Sequence, residues 1–203
     1  MPATRASPAA DDGAAGPPLK WLQDRVSRRI LTPSVGAGLG VAATFLGTAF
    51  CLGTSVAATP LVPSMGASSI LLFVAPSSDY ARPRAVLVGN LVSAAAGVIA
   101  RELIPSTVLA LAVAVTVSSL VMSLLRSTHP PSGGVAVSAA LGGSEIARLG
   151  LWFVVAPVLL NTLFLLAIAA AWGLAARRLD LGYLHAVSSR TAVPAAGASG
   201  TQP

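Results

Sequence analysis

Residues 106–125 read STVLALAVAVTVSSLVMSLL, a stretch without a single charged side chain. In an α-helix, about 20 residues extend over about 30 Å, which matches the hydrocarbon core of a lipid bilayer. The apolar residues show no alternation of period two, which a strand of an outer-membrane barrel would need. This stretch therefore predicts a helix that crosses a membrane.

The whole chain has the same apolar character. Of its 203 residues, 54% are hydrophobic and only 10% are charged, and the mean hydropathy is +0.77. A soluble domain carries roughly 25% charged residues, so this chain has too few to cover a surface in water. We predict an all-α integral membrane protein with one transmembrane domain at 31–178, a disordered, basic cytoplasmic tail at 1–30 and a C-terminal tail at 179–203.

Six hydrophobic segments make up the transmembrane domain, at residues 35–57, 61–77, 85–100, 106–125, 130–143 and 151–176. The second and the fifth are short, and Gly and Pro residues break both of them near the start. As a helix, the fifth segment would extend over only about 21 Å, less than the thickness of the bilayer core. We therefore expect four long helices and two broken segments.

The basic residues predict how these segments cross. If all six cross from a cytoplasmic N-terminus, only Arg101 and Arg148 lie on the outer side, and the division is less uneven if the two short segments return to the side they left. The positive-inside rule favours six crossings, with both termini in the cytoplasm and the bacterial inner membrane as the expected location. The basic residues expected on the inner side are Arg5, Lys20, Arg25, Arg28, Arg29, Arg82, Arg84, Arg126, Arg177, Arg178 and Arg190.

A weak internal repeat divides the domain into two halves. The tract SDYAR at residues 78–82 matches SEIAR at 144–148, and each tract follows a short, broken segment. Three crossings in each half would insert the halves in opposite directions, so we predict two inverted three-segment repeats at about 31–103 and about 104–178. Broken segments at matching positions of inverted repeats indicate a transport site near the membrane midplane.

The starts of the two broken segments are the predicted binding site. A helix that begins inside a membrane has N–H groups without intrahelical partners and the positive end of its dipole there, which favours an anion. The alternative is that Gly and Pro, which are common in membrane helices, bind nothing. The candidate residues are Ser64, Gly66, Ala67 and Ser68 in the first half and Ser132, Gly133 and Gly134 in the second.

Three further polar residues are candidates for substrate binding. Asn90 and Asn161 lie in the third and sixth segments, at equivalent places in the two halves, and their amides can donate to a solute or join helices. His129 precedes the fifth segment and can bind an anion as imidazolium or cap the turn. No acidic residue lies inside an apolar segment, which argues against a cation transporter.

Other classes of function find little support in the sequence. The basic residues form no patch interleaved with aromatic residues, so we expect no nucleic-acid partner. No spacing of Cys, His or carboxylate residues indicates a metal site or a cofactor, and no catalytic grouping indicates an enzyme. Cys51 lies within an apolar segment and is interpreted as a small buried hydrophobic residue.

The tract Thr128-His129-Pro130-Pro131-Ser132-Gly133-Gly134 resembles the signature of the HPP family of integral membrane proteins, usually His-Pro-Pro-Ala-Gly-Ala. Residues 64–73, Pro76, residues 81–84 and residues 157–160 also resemble that family, and the resemblance covers about residues 31–178. Ser132 and Gly134 depart from the usual Ala, and Asn90 stands where members often have His. The family is generally described with four membrane spans.

The resemblance implies a function as well as a fold. Plant members act in nitrite transport across a chloroplast membrane, so this chain is expected to transport a small inorganic anion, with nitrite as the first candidate. The alternative is a structural or regulatory membrane subunit without transport of its own. The expected partners are the lipid bilayer, a small anion and, through faces of small residues such as residues 36–40, a second copy of the chain.

Overall fold

The computed structural model describes residues 30–52 and 61–178. Every regular element within these residues is helical, which confirms the predicted all-α class. The expectations for the tails at 1–30 and 179–203 fall, apart from Ile30, outside the described residues.

Seven α-helices lie in the described part of the chain. A 3-10 turn at Asp79–Ala81 precedes α3, and a wide helical turn at Val154–Leu159, with extended backbone at Ala156, leads into α7. The helices are α1 (Thr32–Leu52), α2 (Val62–Val74), α3 (Pro83–Leu103), α4 (Thr107–Leu124), α5 (Ser132–Leu141), α6 (Ser144–Leu149) and α7 (Leu160–Arg178).

Four of these helical stretches are long and apolar enough to cross a membrane. Helices α2 and α5 are shorter, with 13 and 10 residues, so they extend over only about 20 and 15 Å. The predicted division into four long and two short segments is confirmed. The four stretches are Thr32–Cys51, Pro83–Leu103, Thr107–Leu124 and Val154–Arg178.

Helix α2 is not interrupted where the sequence led us to expect. Pro63 lies in its first turn, where a proline is tolerated because the N–H groups of that turn have no helical partner. Gly66 lies inside a continuous helix. Neither Pro63 nor Gly66 therefore interrupts helix α2. Cys51 also differs from its interpretation, because it is exposed on α1 and not buried.

Helix α5 runs beside α3 and in the same direction. Gly89 of α3 is in close contact with His129 and Ser132, before and at the start of α5, and Gly97 lies against its middle. At the far end, Arg101 Nη1 donates a hydrogen bond to the carbonyl oxygen of Leu141 over 2.6 Å. The order of contacts along α3 matches the order of residues in α5, so the two helices are parallel.

The short helix α5 and the segment before it cross the domain together. Arg84 Nη2, near the start of α3, donates to the carbonyl oxygen of Leu125 over 3.3 Å, and Arg101 bonds Leu141. Residues 125–141 therefore extend from the level of Arg84 to that of Arg101, about 26 Å along α3 at 1.5 Å per residue. In the second half, the fifth segment thus extends across the domain although α5 alone is too short, because non-helical chain precedes the helix.

The packing pairs of the two halves correspond. Helix α1 packs on α2 and on α7, and α4 packs on α5 and on α3. Helix α3 packs on α5, and α7 packs on α2. Exchanging α1 with α4, α2 with α5 and α3 with α7 turns each pair into another pair, which is the relation that two repeats of three segments would produce.

The described arginines are distributed unevenly between the two ends of the bundle. Arg101 and Arg148 lie at the end where α3 and α5 finish, since Arg101 bonds α5 and α6 follows directly. Gly36, near the start of α1, is in close contact with Trp172 of α7 and with Phe73 at the end of α2. From there the chain leads directly to the start of α3, so the end of α7 lies at that end of the bundle. The opposite end thus holds five arginines, Arg82, Arg84, Arg126, Arg177 and Arg178.

Replacing Gly97 by Ala is expected to destabilise the protein. The new Cβ would lie 2.5 Å from the carbonyl oxygen of Ala136 and 2.5 Å from the Cβ of Ala139, so α3 and α5 would have to separate. Overpacking of this kind typically costs about 1–3 kcal/mol. The measurement is the thermal unfolding of the detergent-solubilised protein.

Gly173→Ala is the matched control. A Cβ at Gly173 meets nothing within 4 Å, and Ala is favoured over Gly inside a helix by about 0.5–1 kcal/mol. We expect this variant to melt at or above the temperature of the wild type. Equal melting temperatures for the two variants would contradict the close approach of α3 and α5.

Candidate functional site

The two short helices meet at their first turns. Ser64 Oγ, in the first turn of α2, donates to the carbonyl oxygen of Pro131 over 2.8 Å. A Cβ added to Gly134, in the first turn of α5, would lie 3.2 Å from the Cβ of Ser64. The chain leaves α2 for the start of α3 through the short segment 75–82, whereas α5 runs toward the end of α3. The helices therefore point in opposite directions from a shared contact.

His129 joins the segment before α5 to two other parts of the chain. Its ring is fully buried, and its Nδ1 donates to the carbonyl oxygen of Tyr80 over 2.7 Å. Because a carbonyl oxygen only accepts, Nδ1 carries the proton, and in the neutral ring Nε2 is the acceptor for the hydroxyl of Ser68, 2.9 Å away. Both ring nitrogens thus form hydrogen bonds within the protein. This agrees with the alternative that His129 caps the turn and does not bind an anion.

Asn90 connects three helices through its side-chain amide. Its Oδ1 accepts from the hydroxyl of Ser132 over 2.7 Å, and its Nδ2 donates to Thr162 Oγ1 over 2.9 Å. The Thr162 hydroxyl in turn donates to the carbonyl oxygen of Val158 over 2.8 Å. This chain of hydrogen bonds runs from α5 through α3 to α7, so Asn90 joins helices, which was the alternative to binding a solute.

Asn161 makes a similar connection between α7 and α1. Its Oδ1 accepts from the hydroxyl of Thr48 over 2.6 Å, and the side chain is 4% exposed. The two asparagines predicted at equivalent places thus both lie in buried polar contacts between long helices. In a membrane, such contacts stabilise helix packing because lipid offers no competing hydrogen-bond partner.

The backbone N–H groups at the start of α5 are not free, which corrects the sequence prediction. Those of Ser132, Gly133 and Gly134 donate to the carbonyl oxygens of His129, Pro130 and Pro131 over 2.9, 3.0 and 3.0 Å. Pro130 and Pro131 have no N–H group to offer. A tight turn thus precedes the helix, and it consumes the donors that the predicted anion site required.

The remaining predicted residues lie on a more open surface. Gly66 and Gly133 are half-buried, whereas Ala67 and Gly134 are exposed. A Cβ added at Gly66 or at Gly133 meets nothing within 4 Å. The structure thus brings the buried residues together in three bonded groups, Ser68 with His129, Ser132 with Asn90, and Thr48 with Asn161.

Two buried hydroxyl groups outside the predicted binding site have no hydrogen-bond partner among the described residues. Thr44 on α1 is 1% exposed and Ser93 on α3 is 0% exposed, and the oxygen atoms of both lack a partner. Thr44 lies one turn from Thr48, and Ser93 lies one turn from Asn90. Most buried hydroxyl groups have a hydrogen-bond partner, so these two are candidate donors to a solute. Their signal in the sequence is a polar residue one turn from another polar residue in an apolar helix.

A cavity of about 350 Å³ opens at the arginine-rich end of the bundle, between the start of α3 and the segment after α4. The cavity lies close to His129. Two of its lining residues are Tyr80, whose carbonyl oxygen accepts a hydrogen bond from the His129 ring, and Thr128, which directly precedes His129. Its lining residues are Asp79, Tyr80, Arg82, Arg84, Ala85, Arg126, Ser127 and Thr128.

Four long apolar helices packed with two short, opposed helices define an all-α integral membrane protein. Its buried polar side chains, here called the polar layer, are the three bonded pairs Ser68 with His129, Ser132 with Asn90, and Thr48 with Asn161. Residues 23–180 match the model of the transmembrane region of the HPP family, and the chain therefore belongs to that family. Two transmembrane proteins of Dictyostelium discoideum are 33% and 34% identical to it over 113 residues, which is 54% of this chain. The matched part covers only 39% and 36% of these relatives. No solved structure matches the chain.

Replacing Asn90 by Ala is expected to lower the stability of the domain. The change leaves the hydroxyls of Ser132 and Thr162 without their bonds to the amide, and an unsatisfied buried polar group costs about 1–3 kcal/mol. Ser118→Ala is the control, since the hydroxyl of Ser118 bonds only the carbonyl oxygen of Ala114 one turn earlier in the same helix. Thermal unfolding in detergent measures both, and an Asn90 variant as stable as the control would contradict the network.

Proposed function

We propose that this protein transports a small inorganic anion across a membrane, with nitrite as the first candidate, along the contact between α2 and α5. The observation that carries the proposal is the meeting of two opposed short helices at their first turns, between Ser64 and Pro131. Transporters use discontinuous helices of this kind to place helix ends and polar groups near the bilayer midplane. Four long apolar helices provide the surrounding scaffold.

The electrostatics of this contact favour a negative solute. Each short helix has the positive end of its dipole at the meeting point, and hydrogen bonding within the first turn of α5 leaves that dipole in place. The acidic residues of the described part, Asp79, Glu102 and Glu145, lie at or beyond helix ends. Without a carboxylate nearby, a cation would lack a counter-charge in a medium where burying an unpaired charge is costly.

The chemistry of the polar layer suits a singly charged oxyanion. The unpaired hydroxyls of Thr44 and Ser93 are candidate donors. Ser93 lies one turn from Asn90, and Thr44 lies one turn from Thr48, which bonds Asn161. We propose these hydroxyls as the ligands in place of the backbone N–H groups of Ser132 and Gly133, because those groups already donate to backbone carbonyl oxygens. A monovalent anion such as nitrite loses less hydration energy in such a site than a divalent one would, since the Born cost grows with the square of the charge.

A non-transporting structural or regulatory subunit is the second candidate. It is favoured by the bonds of His129 and Asn90, because every bond described for these two side chains joins one part of the chain to another. Such a subunit would fold and pack as described but would give no flux alone. Transport measured on the purified protein separates the two candidates.

Nitrite uptake into liposomes containing the purified protein is expected to exceed uptake into protein-free liposomes at alkaline pH, where little membrane-permeant nitrous acid is present. An imposed membrane potential should change the rate if the anion moves without a proton. Flux equal to the empty control at every potential would reject nitrite transport and favour the subunit function.

Gly133→Leu and Gly66→Leu are expected to reduce this flux at least tenfold while the protein remains folded. A Cβ meets nothing within 4 Å at either position, so a larger side chain obstructs the path without overpacking the bundle. Gly38→Leu is the matched control, because Gly38 is exposed on α1 and also has open space beside it. Wild-type flux in the Gly133 variant would move the path away from the start of α5.

A further inference from the structure

We propose that the arginine-lined cavity at the end of the bundle, here called the vestibule, is a binding site for a free monovalent oxyanion. The vestibule lies between the start of α3 and the segment after α4, and its volume is about 350 Å³. A role of the vestibule as the first binding site of the transport path rests on the proposed transport function. Anion binding in the vestibule can be measured without transport.

The charges of the vestibule favour an anion. Three guanidinium groups, of Arg82, Arg84 and Arg126, face a single carboxylate, that of Asp79. Arg82 Nη2 lies 2.6 Å from Asp79 Oδ1, but both side chains are more than two-thirds exposed, so this ion pair is weak and easily exchanged. Arg84 and Arg126 remain as the unbalanced positive charges of the lining.

Arginine is also the residue that recognises an oxyanion best. Its planar guanidinium presents parallel N–H groups that match two oxygens of a nitrite or nitrate ion. One N–H of Arg84 is held by the carbonyl oxygen of Leu125 over 3.3 Å, which fixes the side chain across the vestibule and leaves its other donors available. A cavity with low-dielectric walls and one sign of charge concentrates counter-ions.

The backbone of Arg126 provides a second observation. Arg126 has a φ of 50°, a left-handed conformation that glycine adopts with least strain. It follows the C-terminus of α4, where Ser127 N bonds the carbonyl oxygen of Met122, and glycine is the usual residue at this place in such a helix ending. An arginine is thus present where the backbone favours glycine, with its side chain on the vestibule.

The position of the vestibule connects it to the broken segment. Thr128 lines it and directly precedes the buried ring of His129, and Tyr80 lines it and accepts the hydrogen bond from that ring. An anion in the vestibule therefore lies at the Leu125 end of the segment 125–131. The other end of this segment, at Pro131, is the meeting point of α2 and α5. In the vestibule an anion would bind before it moves on to the polar layer.

Protection of arginines from phenylglyoxal tests the proposal. The full-length protein in detergent is treated at constant ionic strength, with nitrite or with gluconate, and mass spectrometry gives the modification rate at each arginine. We expect nitrite to slow modification at Arg84 and Arg126 at least threefold. Arg177 and Arg178, exposed at the same end but outside the vestibule, are internal controls that should not change. The proposal would be overturned if nitrite left the modification rates of all four arginines unchanged, or slowed all four by the same factor.

A lipid headgroup offers similar chemistry, so the same assay is repeated with phosphatidylglycerol in the micelles. Protection by nitrite in lipid-free detergent, lost or reduced when the lipid is added, supports a site for the free anion. Protection by phosphatidylglycerol alone, with none by nitrite, would overturn the proposal and assign the arginines to lipid contact.

Arg126→Gly separates the charge from the backbone. Glycine relieves the left-handed conformation, so the variant should be at least as stable as the wild type, while the nitrite concentration for half-maximal protection of Arg84 should rise at least fivefold. Arg126→Lys keeps the charge and should bind better than Arg126→Gly. Unchanged nitrite protection of Arg84 in Arg126→Gly would remove Arg126 from the site.

The vestibule and the transport function fail in different ways. Protection of Arg84 and Arg126 without flux in liposomes would reject transport and leave the binding site. Nitrite flux that Gly133→Leu reduces, without protection of Arg84 or Arg126 by nitrite, would reject the binding site in the vestibule and support the transport function.

Discussion

The need to satisfy backbone polar groups inside a membrane governs this structure. A segment that crosses without being helical throughout exposes N–H and C=O groups that lipid cannot satisfy. In residues 125–131 the protein meets this need with its own groups. Arg84 donates to the carbonyl oxygen of Leu125, Ser64 donates to that of Pro131, and the N–H group of Ser127 donates to that of Met122. Helix α3, through Arg84, and helix α2, through Ser64, thus hold the two ends of this segment.

The fold could be predicted largely from the sequence because its signals are strong and local. Long apolar stretches set the number of helices, and the ends of α3 and α4 fell within three residues of the predicted segments. The matching tracts at 78–82 and 144–148 both form short helical turns after a short helix. The family predicted from the tract at 128–134 is confirmed over residues 23–180.

The site was predictable only in part, for physical reasons. Sequence showed which residues were polar, and the structure brings Ser68 to His129 and Ser132 to Asn90. It could not show that the N–H groups of Ser132 to Gly134 are used by a tight turn, because this depends on the backbone path through two prolines. It also could not distinguish Ser93, which lacks a partner, from Ser68, which has one, since each lies one turn from another polar residue in an apolar helix.

The pairing of α5 with α3 has a consequence for how the chain is assembled. Each half supplies the surface on which the other half's short helix rests, since α5 packs on α3 and α2 packs on α7. When α3 leaves the ribosome, Asn90 has neither Ser132 nor Thr162 to bond, because both are synthesised later. Asn90 can therefore make both bonds only after Thr162 has been synthesised, so the contact between the two halves is completed after the start of the last helix has been made.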